Sequence, residues 1–294
     1  MKVFIPTHNR ADRITTPWAW PGMDYCVVCH TDQARDAYLW RQPLLDPERV
    51  LVSAVPADET GLVRQRAWIA ARFGRPGEWL FFADDNIRRF TGIAADVGAS
   101  GAGSDVDTLP TQHPAAATAY GVASWGALFG RVLDATDMTR VVGLMQWRAE
   151  AMGVWLCGFA TTDNPYFRGK HWRTVGYVSG KAMLWRHDPD YPWSEIVHME
   201  DFHHSAEHHR RHGRVLVNNW VAPDARHYEP GGMGVYAARI PQRRASVVAL
   251  LARYPGLLRA KDRPGFEPGT ELGFRLTTGP QVDRWRSHLN AGQP

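Results

Sequence analysis

Short apolar runs in the first third of the chain alternate with a segment of helical periodicity, and this alternation restricts the fold more than any other feature. The runs KVFIP, YCVVC, RVLVSAV and EWLFFA are rich in β-branched or aromatic residues and too short for typical helices. Between the last two, residues 60–73 (TGLVRQRAWIAARF) carry apolar side chains at spacings of three and four. Strands that alternate with helices predict an α/β domain with a mostly parallel sheet.

The rest of the chain extends this pattern. VVGLMQW, VWLCGFA and YVSGKAMLW predict further strands, and RVLVNNWVA predicts the last one. Residues 199–213 (MEDFHHSAEHHRRHG) predict a helix that ends at Gly213, a favoured C-cap residue. Residues 94–119 are dense in Gly, Ala and Ser, so we expect a mobile loop there, a candidate lid over a site. We divide the chain into an α/β domain (1–239) and a basic extension (240–294) that opens with an amphipathic helix.

Composition limits the setting and the partners. The 294 residues are 44% hydrophobic, enough for a sizeable core, and 34 Lys and Arg face 30 Asp and Glu. The sequence pI of about 9.1 fits a polyanionic partner without requiring one. Three cysteines cannot form a disulfide framework, the opening MKVFIPTHNR does not resemble a signal peptide, and the apolar runs are far shorter than the roughly 20 residues of a membrane span. We therefore expect a soluble, cytoplasmic protein with no membrane partner.

Asp84, Asp85 and Asn86 directly follow the apolar run EWLFFA. Ligands of α/β proteins bind beyond the carboxyl ends of the strands, where these three residues are predicted to lie. Adjacent carboxylates repel each other unless a cation or a donor compensates, so a divalent metal bound together with phosphate is a natural occupant. The alternative is a solvated turn, in which Asp and Asn are common.

Two other patterns suggest metal chemistry less strongly. Cys26 and Cys29 lie three apart on a predicted strand, so their side chains face opposite sides of the sheet and we expect buried, inert thiols. HSAEH matches the H-x-x-E-H pattern of inverted zinc peptidases, with His204 and His208 on one helix face and Glu207 as general base. No third ligand is identifiable, and a solvated or anion-facing helix is the favoured alternative.

Five segments, taken in order along residues 1 to about 230, resemble the GT-A glycosyltransferases, which transfer a sugar from a nucleotide donor. VFIPTHNR resembles their first strand and nucleotide-binding turn, and TGLVRQRAWIAARFGRPGEWLFFADDN resembles the helix and strand that lead to their D-x-D motif. YVSGKAML resembles their acceptor loop, MEDFHHSAEHHRRHGRVLV their x-E-D helix, and His227 their C-terminal metal-binding histidine. The resemblance implies a GT-A, Rossmann-like fold and a metal-dependent transferase.

The resemblance also assigns roles to individual residues. Asp201 would be the general base that deprotonates the acceptor hydroxyl, with Glu200 as its orienting partner, or would position the acceptor in a retaining enzyme. A bound cation would stabilise the departing nucleoside diphosphate. Asn86 stands where the D-x-D motif of these enzymes usually ends in Asp, and Arg64-Gln65-Arg66 stands where they commonly have an Arg-Asn pair. The implied donor, a UDP-sugar, would contact Pro6, Thr7, Asn9, Arg10, Asp32, Arg64, Arg66 and Asp84, and Mg²⁺ or Mn²⁺ would bind Asp85, Asn86 and His227.

Among these enzymes, the chain is most similar to phage enzymes encoded beside 5-methylpyrimidine dioxygenases, which glycosylate hydroxymethylated bases in DNA. HYEPGGMG and the Arg-rich helix followed by RYPGLLRAKDR carry this similarity. It implies 5-hydroxymethylcytosine in double-stranded DNA as the acceptor, in the cytoplasm of an infected bacterium, with Gly180, Lys181, Arg243 and Arg244 as acceptor contacts. Independently, the basic side chains Arg253, Arg259, Lys261 and Arg263 are candidates for phosphate contacts, and the chain has 13 tryptophans for stacking on a displaced base.

Two alternatives remain open at the level of sequence. A glycosyltransferase that acts on a saccharide, lipid or protein would share every motif of the core and would be indifferent to DNA. A DNA-binding module without catalysis would keep the basic extension and would not hydrolyse a donor.

Overall fold

The computed structural model describes residues 2–19, 22–55, 61–92, 132–162, 172–193, 196, 198–225 and 236–291. The expected loop at 94–119, the HYEPGGMG segment and His227 therefore lie outside the described residues.

The described elements alternate between strands and helices up to residue 83, and beyond it pairs or triples of strands are separated by helices. In chain order they are β1 (Val3–Pro6), α1 (Thr16–Ala19), β2 (Tyr25–Cys29), α2 (Asp32–Arg41), a 3₁₀ turn (Pro47–Arg49), β3 (Val50–Val52), α3 (Leu62–Phe73), β4 (Trp79–Ala83), β5 (Ile87–Gly92), α4 (Ala135–Ala151), β6 (Leu156–Phe159), β7 (Trp172–Arg173), β8 (Ala182–Arg186), α5 (Glu200–His212), β9 (Leu216–Asn218), β10 (Val221–Ala225), α6 (Tyr236–Arg253), β11 (Leu258–Ala260), β12 (Leu272–Phe274) and α7 (Gly279–Ala291).

Eight strands form one sheet in the order β3-β2-β1-β4-β8-β6-β9-β7. The first four run parallel, β8 is antiparallel to both β4 and β6, and β6 and β9 are parallel. The predicted α/β class with a mostly parallel sheet is confirmed, and the arrangement is compatible with a Rossmann-like fold. Because β8 runs against β4, the loop before β8 lies at the same edge of the sheet as the turn after β4.

Two predicted elements were wrong. VVGLMQW lies within α4, whose buried residues Val141, Leu144 and Met145 follow the spacing of one helix face, and Asp134 caps the helix by accepting from the N–H of Asp137 at 2.8 Å. A short apolar run does not distinguish a buried helix from a strand. RVLVNNWVA forms two strands, β9 and β10, because Asn218 Oδ1 accepts from the Trp220 N–H at 2.8 Å and turns the chain between them.

The sheet separates two apolar cores, and the cysteines of β2 lie on opposite sides of it. Cys29 belongs to the core that contains Val27 and Phe81, whereas Cys26 belongs to the core that contains Val28 and Phe82. The prediction of opposite faces is confirmed. Burial raises the pKa of each of the two thiols to about 11, so both stay protonated and unreactive at neutral pH.

The C-terminal extension packs against α5. Its first helix, α6, begins at Tyr236, so the predicted boundary at residue 240 falls inside a helix. The buried Tyr254 pairs its hydroxyl with His203 Nδ1 at 2.7 Å and donates to Glu207 Oε2 at 2.9 Å. The basic segment after α6 contains the β11–β12 hairpin. No helix within the described ranges is long and apolar enough to span a bilayer.

Candidate functional site

A cleft of about 1400 Å³ opens at the edge of the sheet where β1 and β4 end. One wall is this edge together with the N-terminus of α5, and the other wall is the β11–β12 hairpin. The cleft brings together predicted residues from four separate parts of the sequence: Pro6, Thr7, Arg10, Asp84, Asp85, Asn86, Gly180, Lys181, Glu200 and Asp201. The strand order explains this convergence, because β1, β4 and the loop before β8 are adjacent there.

Asp85 joins the turn after β4 to the turn after β1. Its Oδ1 accepts from Arg10 Nη1 at 2.9 Å and its Oδ2 accepts from Thr7 Oγ1 at 2.7 Å. The hydroxyl of the buried Tyr38 lies 2.6 Å from Thr7 Oγ1 and accepts from the Arg10 N–H at 3.0 Å. Burial raises the pKa of Asp85, and the Arg10 guanidinium opposes this shift. The side chains of Arg10 and Asp85 are each only 10% exposed, so the pair fixes the base of the cleft.

Arg66 links the acidic turn after β4 to the acidic start of α5. Its side chain is fully buried, with Nη2 3.3 Å from Asp84 Oδ1 and Nη1 3.3 Å from Glu200 Oε1. Nη2 also donates to the Gly180 carbonyl at 2.7 Å. Burial raises the pKa of Asp84 to about 6, the Arg66 charge opposes it, and Asp85 and Asp201 add to it. One buried cation therefore holds together three segments that are distant in the sequence.

Asp201 lies in the first turn of α5, where the helix dipole favours a negative charge. Its Oδ2 accepts from the Tyr177 hydroxyl and from the Gly180 N–H at 3.4 Å, and its Oδ1 accepts from the Phe202 N–H at 3.0 Å. Burial raises the pKa of Glu200 to about 7, the Asp201 charge adds to the shift, and Arg66 opposes it. The three hydrogen bonds from Tyr177, Gly180 and Phe202 hold the Asp201 carboxylate in one orientation at the cleft surface.

Gly180 lies where the acidic groups and Arg66 meet. A Cβ atom at this position would be 3.2 Å from Arg66 Nη1, which is tighter than most real contacts, and 3.4 Å from Glu200 Oε1. A larger residue here would press on the ion pair unless Arg66 shifted by a few tenths of an ångström, so the position favours glycine. The backbone carbonyl of the next residue, Lys181, accepts a hydrogen bond from the Asp84 N–H at 2.7 Å. The Lys181 ammonium group donates to the Thr161 carbonyl at 3.1 Å.

Several residues that were predicted to contact the nucleotide-sugar donor do not line the cleft. Asp32 and Arg64 are exposed and do not line it. Asn9 lines a separate cavity of about 130 Å³ together with His8 and His30. Arg64 and Arg66 are two positions apart on α3 and so point in different directions, which is why only Arg66 reaches the site.

The two predicted arginine contacts to the acceptor are engaged within the extension itself. Arg243 forms an ion pair with Glu271 and its side chain is 13% exposed. Arg244 pairs with Glu267 at 2.8 Å. A carboxylate of the extension therefore partly neutralises each guanidinium, and of the two arginines Arg243 also lines the cleft.

Asp85 does not fit the predicted role of a direct metal ligand in this arrangement. Both of its oxygens accept hydrogen bonds, and a guanidinium 2.9 Å away disfavours a second cation on the same carboxylate. Among the described residues, which exclude His227, no group of three or more His, Cys, Asp or Glu is placed to hold a metal. Asp84, with 29% of its side chain exposed, is the more accessible carboxylate of the turn.

The H-x-x-E-H segment of α5 is structural. His204 is fully buried, with Nδ1 2.9 Å from the Tyr191 hydroxyl, and burial lowers its pKa well below the ordinary value. Glu207 pairs with Arg210 at 2.5 Å and accepts from Tyr254. Neither His204 nor Glu207 lines the cleft. The peptidase alternative therefore has no support in the geometry.

Among the site residues that sequence reasoning missed, two help to hold the site together. Tyr177 supplies the hydroxyl that holds Asp201, and Gln65 Nε2 donates to the carbonyls of Thr7 and Val28 at 3.3 and 3.1 Å, joining the ends of β1 and β2. Gln65 had a signal, since it lies beside Arg66 on a predicted helix. Tyr177 lies in the segment that resembles the acceptor loop, but nothing in YVSGKAMLW indicates its partner 24 residues further along the chain.

Comparison with protein-family models finds no matching family, and comparison with curated proteins finds no match.

Proposed function

We propose that this protein is a glycosyltransferase that moves a sugar from a nucleotide-sugar donor, a UDP-sugar, to a hydroxyl acceptor. The proposal is carried by Asp201, a carboxylate at a helix N-terminus that lines the cleft and is oriented by Tyr177 and the Gly180 N–H. The motifs that resemble GT-A enzymes supply the reaction class, and the convergence of Thr7, Arg10 and Asp84 in the same cleft supports it.

In the proposed reaction, the acceptor oxygen attacks the anomeric carbon while the bond from that carbon to the diphosphate breaks. The nucleoside diphosphate leaves with the bonding electron pair, and Asp201 takes the acceptor proton. The Tyr177 hydroxyl and the Gly180 N–H hold the carboxylate in place. Glu200 and Asp84 share the buried Arg66, which fixes the distance between the acceptor side and the donor side of the cleft. Metal dependence stays a prediction of the resemblance, and no step here passes through a metal.

The proposed acceptor is the hydroxymethyl group of a modified pyrimidine, 5-hydroxymethylcytosine, in double-stranded phage DNA. The basic extension supports this choice because it forms a wall of the cleft opposite the acidic edge. A saccharide, lipid or protein acceptor is the alternative, and it would use Asp201 in the same way.

The test incubates the protein with hydroxymethylated duplex DNA and a panel of nucleotide sugars, then measures the masses of the released nucleosides. We expect one donor to add a hexose or pentose to the modified pyrimidine. Asp201→Asn is the matched control, since it keeps the size of the side chain. Donor hydrolysis without any DNA product would favour the alternative acceptors, and the absence of both would contradict the proposal.

A further inference from the structure

The β11–β12 hairpin presents a row of cations to the cleft. Arg259 and Lys261 are two residues apart on an extended segment, so their side chains share one face. Both pass over Gly273 of the paired strand, where a Cβ atom would lie 3.7 Å from Lys261 Cδ and 3.8 Å from Arg259 Nε. Arg263 continues the row, with its guanidinium 4.4 Å from the centre of the Phe266 ring. All three cations are exposed and line the cleft.

These three cations differ from Arg243 and Arg244 in whether a carboxylate neutralises their charge. Arg243 and Arg244 are neutralised by Glu271 and Glu267 of the same extension. Within the described part of the chain, Arg259, Lys261 and Arg263 form no ion pair within 4.0 Å. The neighbouring acid Asp262 does not line the cleft. The positive potential of this wall is therefore available to an anionic ligand.

A row of half-buried aromatic rings connects the hairpin to Asp201. The Tyr177 and Phe202 rings are 4.6 Å apart, and the Phe202 and Phe274 rings are stacked at 6.1 Å with an interplanar angle of 16°. Tyr177 contacts Asp201 at one end of the row, and Phe274 belongs to β12 at the other. All three rings line the cleft. Flat apolar surfaces beside exposed cations are the usual composition of a surface that binds nucleic acid.

We infer that the β11–β12 hairpin and this aromatic row form the acceptor-binding surface, on which Arg259, Lys261 and Arg263 contact phosphates and the rings receive an extruded base beside Asp201. The inference rests on the proposed function and assigns the part of the cleft that would hold the proposed nucleic-acid acceptor. The cleft, at about 1400 Å³, exceeds the roughly 300–1000 Å³ of a typical small-ligand site, which leaves room for a nucleotide donor and a base.

The first experiment measures binding of a labelled duplex by fluorescence anisotropy between about 50 and 200 mM salt. The triple variant Arg259→Gln/Lys261→Gln/Arg263→Gln is compared with Arg41→Gln/Arg72→Gln/Arg75→Gln, which removes the same charge from exposed positions away from the cleft. Each lost phosphate contact makes the negative slope of log K against log salt shallower by about 0.9, so the slope of the hairpin variant should be shallower than that of the wild type by about 2 to 3. The control variant should keep the wild-type slope.

Equal losses in both variants would overturn the inference, because they would show a diffuse charge effect. Equal binding of a sulfated polysaccharide, with the same salt slope and the same loss in the hairpin variant, would also overturn it. The aromatic part is tested with a duplex that carries a fluorescent base analogue at the target. Phe274→Leu should lower the signal of the extruded base while leaving the salt slope unchanged, and an unchanged signal would contradict that role.

A parallel assay separates this inference from the proposed function. Release of nucleoside diphosphate from the donor, without acceptor, is measured in the wild-type protein, and the Arg41→Gln/Arg72→Gln/Arg75→Gln control, whose positions do not line the cleft, should match it. Donor turnover without hairpin-dependent binding would overturn the inference alone. Hairpin-dependent binding without turnover of any nucleotide sugar would overturn the proposed function alone.

Discussion

The Nη1 atom of Arg66 lies 3.3 Å from Oε1 of Glu200, although 134 positions separate the two residues in the sequence. The same guanidinium contacts Asp84, and the Arg66 side chain is fully buried. The acidic turn after β4 and the acidic start of α5 are therefore held by one buried cation. Their spacing across the cleft depends on a residue that belongs to neither motif.

Replacing Arg66 by Met should be strongly destabilising. The change leaves Glu200 as a buried carboxyl group without its cation, and breaking such a pair costs about 3–5 kcal/mol. Urea denaturation measures the difference. The matched control is the double variant Arg66→Met/Glu200→Gln, which removes the stranded charge and should recover part of the loss. A stability of Arg66→Met within about 0.5 kcal/mol of wild type would show that the pair contributes little.

Replacing Asp201 by Asn should reduce sugar transfer by about 10² or more, because the amide cannot accept a proton at neutral pH. Donor affinity, measured by calorimetry, should barely change. Tyr177→Phe keeps the Asp201 carboxylate and removes one hydrogen-bond donor to it. The activity of this variant should therefore fall less than that of Asp201→Asn, and the pH profile of its transfer rate should shift. Wild-type turnover in Asp201→Asn would exclude this residue as the base.

The raised pKa of Glu200 predicts how stability depends on pH. The ordinary value is 4.5 and the folded value is about 7, so between these pH values the folded protein binds more protons than the unfolded chain. The contribution of Glu200 to the free energy of unfolding therefore falls as pH rises from about 4.5 to about 7. Unfolding of wild type and Glu200→Gln should be compared across this range. We expect the stability of wild type to decline relative to the variant, and parallel curves would contradict the shift.

Metal dependence and the role of Asp85 can be separated by one set of measurements. The resemblance predicts that excess chelator abolishes transfer and that Mn²⁺ or Mg²⁺ restores it. The contacts of Asp85 with Arg10 and Thr7 predict in addition that Asp85→Ala lowers the melting temperature even in chelator. Full transfer in chelator would end the metal proposal. An Asp85→Ala variant that melts like wild type would show that the ion pair contributes no stability.

The sequence alone determined the features that depend on neighbours along the chain. Apolar runs ending in Asp84 and Asp85 placed the acidic turn at the end of a strand, and the odd spacing of Cys26 and Cys29 placed the thiols in different cores. Gly213 ends α5 with φ at +79°, as its position predicted. Strand and helix periodicities are local, so each of these features can be recognised without knowing the fold.

The tertiary structure decided which of the similar residues face the site. It buries Asp85 against Arg10 and leaves Asp84 at the cleft, and it turns Arg66 inward and Arg64 outward. Ion pairs within the extension occupy Arg243 and Arg244, while the cations of the β11–β12 hairpin stay open. The sequence shows that a charge is present, but the partner that neutralises it comes from a distant segment. Only the packing of the sheet, α5 and the extension brings those partners within a few ångströms, and that packing depends on the whole chain.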